Sequence, residues 1–117
     1  MVLALVDDLM FSSKIRTAAK QLDVPLTFAR SRAAALSELR ANRPSIVIFD
    51  LNGTRMDPLG TMTEMKSDPA LAGIATVGFV SHVQTEVIEA ARRAGVDEVM
   101  PRSAFVAQLG EILSRGR

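Results

Sequence analysis

The chain has 117 residues, 48% apolar and 23% charged, with no cysteine and a formal net charge of +1 at neutral pH. A chain of this length buries enough apolar surface to form one domain over residues 1–117 without cross-links. The missing cysteine excludes thiolate zinc sites, iron–sulfur clusters and thiol nucleophiles, and the balanced charge gives no general field toward nucleic acid or anionic lipid. The opening run Met1 to Val6 is too short for a signal-peptide core and has no basic flank, and no uncharged stretch nears the roughly 20 residues of a membrane span. A cytoplasmic protein is expected, with no membrane and no nucleic-acid partner.

In chain order, Val2 to Val6 is a continuous apolar run ending in Asp7 and Asp8, as expected of a strand buried on both faces. Ser12 or Ser13 is the predicted cap of a helix carrying Ile15, Ala18, Ala19 and Leu22 on one face, stopped by Asp23 to Pro25. Leu26 to Ala29 reads as a second strand. Ser31 then caps an alanine-rich helix with Ala35, Leu36 and Leu39 on one face, closed by Asn42 and Pro44. Ile46 to Phe49, rich in β-branched residues, is the strongest strand and leads into Asp50, with a tight loop at Asn52-Gly53. Asp57-Pro58 supplies the cap and first residue of a third, weak helix that ends near Asp68-Pro69.

Ile74 to Val80 forms the fourth strand. A helix from about Thr85 to Ala94 is terminated by Gly95, and Val99-Met100 is a brief fifth strand. Ser103 is the predicted cap of a final helix with an apolar stripe of Phe105, Val106, Leu109, Ile112 and Leu113. Five alternations of short, unbroken apolar strands with helices imply an α/β fold. It is expected to be a doubly wound five-stranded parallel sheet in flavodoxin-like order 2-1-3-4-5, with helices on both faces. The site of such a sheet lies beyond the carboxyl ends of its strands, which singles out Asp7, Asp8, Asp50, Ser81 and Arg102. In that order the first and third strands are neighbours about 4.8 Å apart, so three carboxylates converge, and a hard divalent cation such as Mg²⁺ would relieve their repulsion.

The ordered set resembles the receiver domain of two-component response regulators over the whole chain. Asp7-Asp8 is similar to the family's acidic pair, Asp50 to its phosphorylated aspartate, and Met56-Asp57 to its Met-Asp pair. Ser81 is similar to its hydroxyl residue, and Gly95-Val96-Asp97-Glu98 to the turn before its fifth strand. Arg102 stands where the family carries lysine. The resemblance implies that Asp50 accepts a phosphoryl group from a histidine kinase or phosphotransfer protein. It also implies a Mg²⁺ held by Asp8, Asp50, the Asn52 backbone carbonyl and, through water, Asp7. Ser81 and Arg102 would contact the phosphoryl group, whose charge would shift the loops after strands three and four. Such a domain is a phosphoacceptor rather than an enzyme, with at most slow self-phosphorylation and autodephosphorylation. With no output domain expected in the chain, the signal would pass to a separate effector. The expected surface is the helix 4, strand 5, helix 5 face, with Val87, Ala91, Val99 and Met100, a face that also suits a homodimer.

Four positions depart from the family pattern: Arg102 for lysine, Ser103 for the proline of an expected cis peptide, Val99 for an aromatic switch residue, and His82 for a small residue. They define an alternative, a degenerate receiver that binds partners without phosphorylation. A remoter alternative is a haloacid-dehalogenase-like phosphatase, since Phe49-Asp50-Leu51-Asn52-Gly53-Thr54 differs from that signature only in having Asn52 for the acid that moves the proton.

Overall fold

The computed structural model describes residues 1–81 and 84–116, at position 54 the backbone only. His82 therefore lies outside the described residues. Five strands, β1 (Val2–Leu5), β2 (Leu26–Ala29), β3 (Ile46–Asp50), β4 (Ala75–Val80) and β5 (Glu98–Pro101), form one sheet in the order β2-β1-β3-β4-β5. Every pairing is parallel, with Val2 opposite both Leu26 and Ile46, Asp50 opposite Phe79, and Val80 opposite Pro101. This is the expected doubly wound arrangement. β3 runs one residue further than the apolar pattern suggests and takes Asp50 into the ladder, whereas β1 stops at Leu5 and β4 begins at Ala75.

Side chains of a strand alternate between faces, and here each face has its own core. Leu3, Leu5, Val47 and Phe49 pack with Leu36 and Leu39 of α2 (Arg32–Asn42), Met62 and Met65 of α3 (Pro58–Ser67) and Ala91 of α4 (Thr85–Ala94). Val2, Ala4, Ile46, Ile48 and Phe79 pack on the other side. Their partners are Phe11, Ile15 and Ala19 of α1 (Leu9–Gln21), Phe105 of α5 (Arg102–Ala107), and Leu109, Ile112 and Leu113 of α6 (Leu109–Ser114). Among the described residues, no helix is long and apolar enough to cross a membrane.

Three predicted helix ends hold. The Ser31 side chain accepts from the Ala34 amide, Asp57 accepts from the Gly60 amide with Pro58 following it, and Gly95 closes α4 at φ 107°. A side chain at Gly95 would occupy the left-handed region that only glycine enters without strain. Two ends differ. Asp8, not Ser12 or Ser13, caps α1 by accepting from the Phe11 amide at 3.0 Å, while the Ser12 hydroxyl, already inside the helix, donates to the Asp8 carbonyl at 2.7 Å. Asp8 stands directly before the first helical residue, where an N-cap oxygen reaches the amide three residues on, and the two serines lie inside the first turn.

Ser103 is likewise not a cap. The last helical stretch starts at Arg102 after Pro101 with no side-chain cap bond, and Gln108 (φ −106°, ψ 9°) divides the expected single helix into α5 and α6. The Gln108 amide is shared between the Ala104 and Phe105 carbonyls, so the apolar stripe survives the break. No described peptide bond is cis.

β4 and β5 are pinned at their amino ends by Thr76 and Asp97. The Thr76 amide and hydroxyl both donate to Asp97 Oδ2, at 2.9 and 3.0 Å, and the Asp97 amide donates back to the Thr76 hydroxyl at 2.9 Å. Thr76→Val keeps the shape but leaves the Asp97 amide without its acceptor. It is expected to lower stability by about 1–2 kcal/mol in urea denaturation with an unchanged slope. An unaltered midpoint would contradict the reading of this pair as a lock.

Candidate functional site

Asp50 ends β3 at the point where the sheet order reverses, since β1 and β4 flank it and their connections leave in opposite directions. It is 5% exposed. Its Oδ1 accepts from the Asn52 amide at 3.0 Å, and its carbonyl accepts from Gly53 at 3.1 Å, so the tight loop folds back over the carboxylate. Burial pushes the Asp50 carboxyl above its ordinary range. The Asn52 amide and the charge of Arg102 draw it back down, and Asp7 and Asp8 raise it further.

Asp7 and Asp8 thus act on Asp50, but the three acids do not form a cage. Among the described residues, no three acid, imidazole or thiol side chains gather closely enough to hold a metal ion. Asp8 is exposed and divided: one oxygen caps α1, and the other lies 3.9 Å from Arg102 Nη2. The donors at this end of the sheet fit a cation that takes one or two carboxylates and a carbonyl and completes its shell with water and phosphate oxygens. Mg²⁺ is bound in that way.

Arg102, the first residue of α5, does not project as a free cation. Its guanidinium carbon lies 4.5 Å from the centroid of the Phe11 ring and 5.7 Å from that of Phe79. These rings belong to a trio: Phe11 and Phe79 are 4.8 Å apart, Phe79 and Phe105 4.7 Å, and Phe11 and Phe105 5.8 Å. Arg102 Nε is buried and has no hydrogen-bond partner among the described residues. Asp8, Met10, Phe11, Lys14 and Arg102 line a cleft of about 310 Å³ beside it.

Ser81 is exposed one residue beyond β4, and its amide donates to Asn52 Oδ1 at 2.6 Å. Asn52 Nδ2 in turn donates to Gln84 Oε1 at 2.9 Å. The side chain of Asn52 therefore ties the loop after β3 to the loop after β4, a role distinct from the carbonyl function expected of it. A phosphatase would need a proton-transferring acid at this position, but an amide engaged by Ser81 and Gln84 stands there.

Asp57 is held away from this cluster. It caps α3 and pairs with Arg32 at 3.1 Å, and Arg32 also reaches Glu64. The expected partner face also changes on inspection. Ala91 is completely buried and Val87, Val99 and Met100 are half-buried, whereas Glu86, Glu89, Arg92 and Arg93 are exposed on α4. The accessible part of that helix is charged rather than apolar. Sequence reasoning missed the aromatic seat of Arg102 and the Asn52 tie. The spacing of Phe11 three residues after Asp8 is the only local trace of the former, and the latter joins positions 29 and 32 residues apart.

No family model and no curated protein sequence matches this chain. Solved structures do. The phosphorylated cyanobacterial phytochrome response regulator RcpA is 24% identical and superposes with a TM-score of 0.80 over 96% of this chain and 86% of its own. A response regulator from Hahella chejuensis is 20% identical with a TM-score of 0.85, covering 97% and 91%. The Mn²⁺-bound form of response regulator Rcp1 is 21% identical with a TM-score of 0.78, covering 96% and 87%. The fold of this chain is that of response-regulator receiver domains.

Proposed function

We propose that residues 1–117 act as a receiver that takes a phosphoryl group on Asp50 from a histidine kinase or phosphotransfer protein. The observation that carries this reading is the buried Asp50 carboxyl at the sheet's switch point, its proton affinity raised by burial and lowered in part by the charge of Arg102. An Asp50 oxygen attacks the phosphorus of a phosphohistidine in line. The P–O bond forms as the P–N bond breaks, and the imidazole leaves carrying a proton. Asp8, Asp50 and the Asn52 carbonyl, with Asp7 through water, are the residues that would hold Mg²⁺. The ion would offset the negative charge collecting on the transferring group.

Ser81, steadied through its amide by Asn52, offers its hydroxyl to a phosphoryl oxygen. The acyl phosphate adds about two negative charges beside Asp7 and Asp8, and the loops after β3 and β4, joined through Asn52, move as one. A separate effector protein then reads the altered surface, with the charged face of α4 and the adjoining edge of β5 as the contact. The same face is the proposed site of any homodimer.

Incubation with a small phosphodonor and Mg²⁺, followed by intact-mass measurement, tests the proposal. The wild type is expected to gain the mass of one phosphoryl group and Asp50→Asn none. Equal labelling of both proteins, or of neither, would overturn it. The seating of Arg102 on Phe11 favours one second reading, a domain that binds its partner without phosphorylation, and an unlabelled wild type that still binds would establish it. Sustained hydrolysis of a phosphate monoester, lost in Asp50→Asn, would instead point to a phosphatase.

A further inference from the structure

From the placement of Arg102 we infer that its guanidinium is a built-in rival of the divalent cation: it occupies Asp8 when the cation is absent and is released when the cation binds. The inference rests on the proposed cation site and adds a control to it. Three observations carry it. Arg102 Nη2 stands 3.9 Å from the Asp8 oxygen that does not cap α1, the oxygen of that carboxylate not already engaged by the Phe11 amide. The Phe11 ring, 4.5 Å away, holds the planar cation in that position, as a flexible ammonium would not be held. Nε is buried with no acceptor among the described residues, so within them the seat leaves a charged donor unsatisfied.

These contributions oppose one another. The cation–π contact and the partly exposed ion pair favour the seat. The buried donor with no acceptor among the described residues opposes it. The seat is therefore shallow, and a dication competing for the same oxygen can empty it. Linkage makes the effect reciprocal: whatever factor the bound cation takes from the Arg102–Asp8 contact, Arg102 takes from cation affinity. Once released, the edge of the guanidinium formed by Nε and Nη2 needs an acceptor, and a phosphoryl group accepts along such an edge.

The full chain is titrated with Mg²⁺ while the Arg102 Nε–H and Phe11 ring resonances are followed by NMR, and Mn²⁺ affinity is measured by electron paramagnetic resonance. Both sets of resonances are expected to shift to saturation in the wild type. Arg102→Met is expected to bind Mn²⁺ roughly fivefold more tightly, the upper range of an exposed ion pair. Lys14→Met, which removes a positive charge from the same cleft without touching Asp8, is expected to change affinity less than twofold. Equal gains in both variants, or an Arg102 Nε–H resonance unmoved at saturating Mg²⁺, would overturn the inference and leave Asp50 phosphorylation, read by mass, intact. Failure of every variant to bind Mn²⁺ would overturn both the inference and the cation site. Should Arg102→Met not fold, the wild-type titration alone decides.

Discussion

Phe79→Ala is expected to cost about 3–5 kcal/mol, a large share of the roughly 5–15 kcal/mol available to a domain of this kind. Phe79 is fully buried in β4, opposite Asp50, and its ring stacks on that of Phe105 and lies tilted against that of Phe11. Truncation empties the centre of one core, removes two ring contacts and takes away the second aromatic under Arg102. Urea denaturation should show a midpoint lowered in the same proportion, with the slope unchanged. A loss below about 1 kcal/mol would mean that the surrounding helices collapse onto the space, contrary to a closely packed core. Because Phe11 belongs to α1 and Phe105 to α5, this one residue joins two of the helices that cover that face.

Asp50→Asn should act in the opposite direction. Burial holds the Asp50 carboxyl above its ordinary value of 3.8, so the folded chain binds that proton more tightly than the unfolded chain. The group's contribution is therefore fully present below the ordinary carboxylate range and is lost as pH rises through the folded value. At neutral pH the charged form costs the fold, and asparagine, which keeps an oxygen for the Asn52 amide, avoids that cost. In chelator at pH 7 the variant is expected to melt a few degrees above the wild type, with the difference closing below about pH 4. Mg²⁺ should narrow the gap at neutral pH by stabilising the wild type alone. A wild type that is the more stable at pH 7 without divalent ions would contradict the account of Asp50 as a desolvated charge.

What could be read from the sequence was mostly local. Ile46 to Phe49 announces a buried strand by composition, and Ser31 and Asp57 announce caps because the bond they make spans three residues. Alternation of apolar runs with helices was enough to set out the sheet and to bring Asp7, Asp8, Asp50, Ser81 and Arg102 to one end of it. Ser12 misled because Asp8 reaches the first turn earlier. The break at Gln108 left no mark, since it is made by backbone angles at a residue that is neither glycine nor proline. The direction taken by Arg102 was not legible either. Asp50, Asp8 and Phe11 all compete for it, and the outcome depends on a ring packed from another helix.

The division between α5 and α6 has a mechanical consequence. α6 is fixed to the sheet through Leu109, Ile112 and Leu113, and α5 through Phe105. Arg102 begins this six-residue segment, and Gln108 closes it. A displacement of the guanidinium would therefore load the six-residue α5 first, with the break at Gln108 lying between it and the anchored α6.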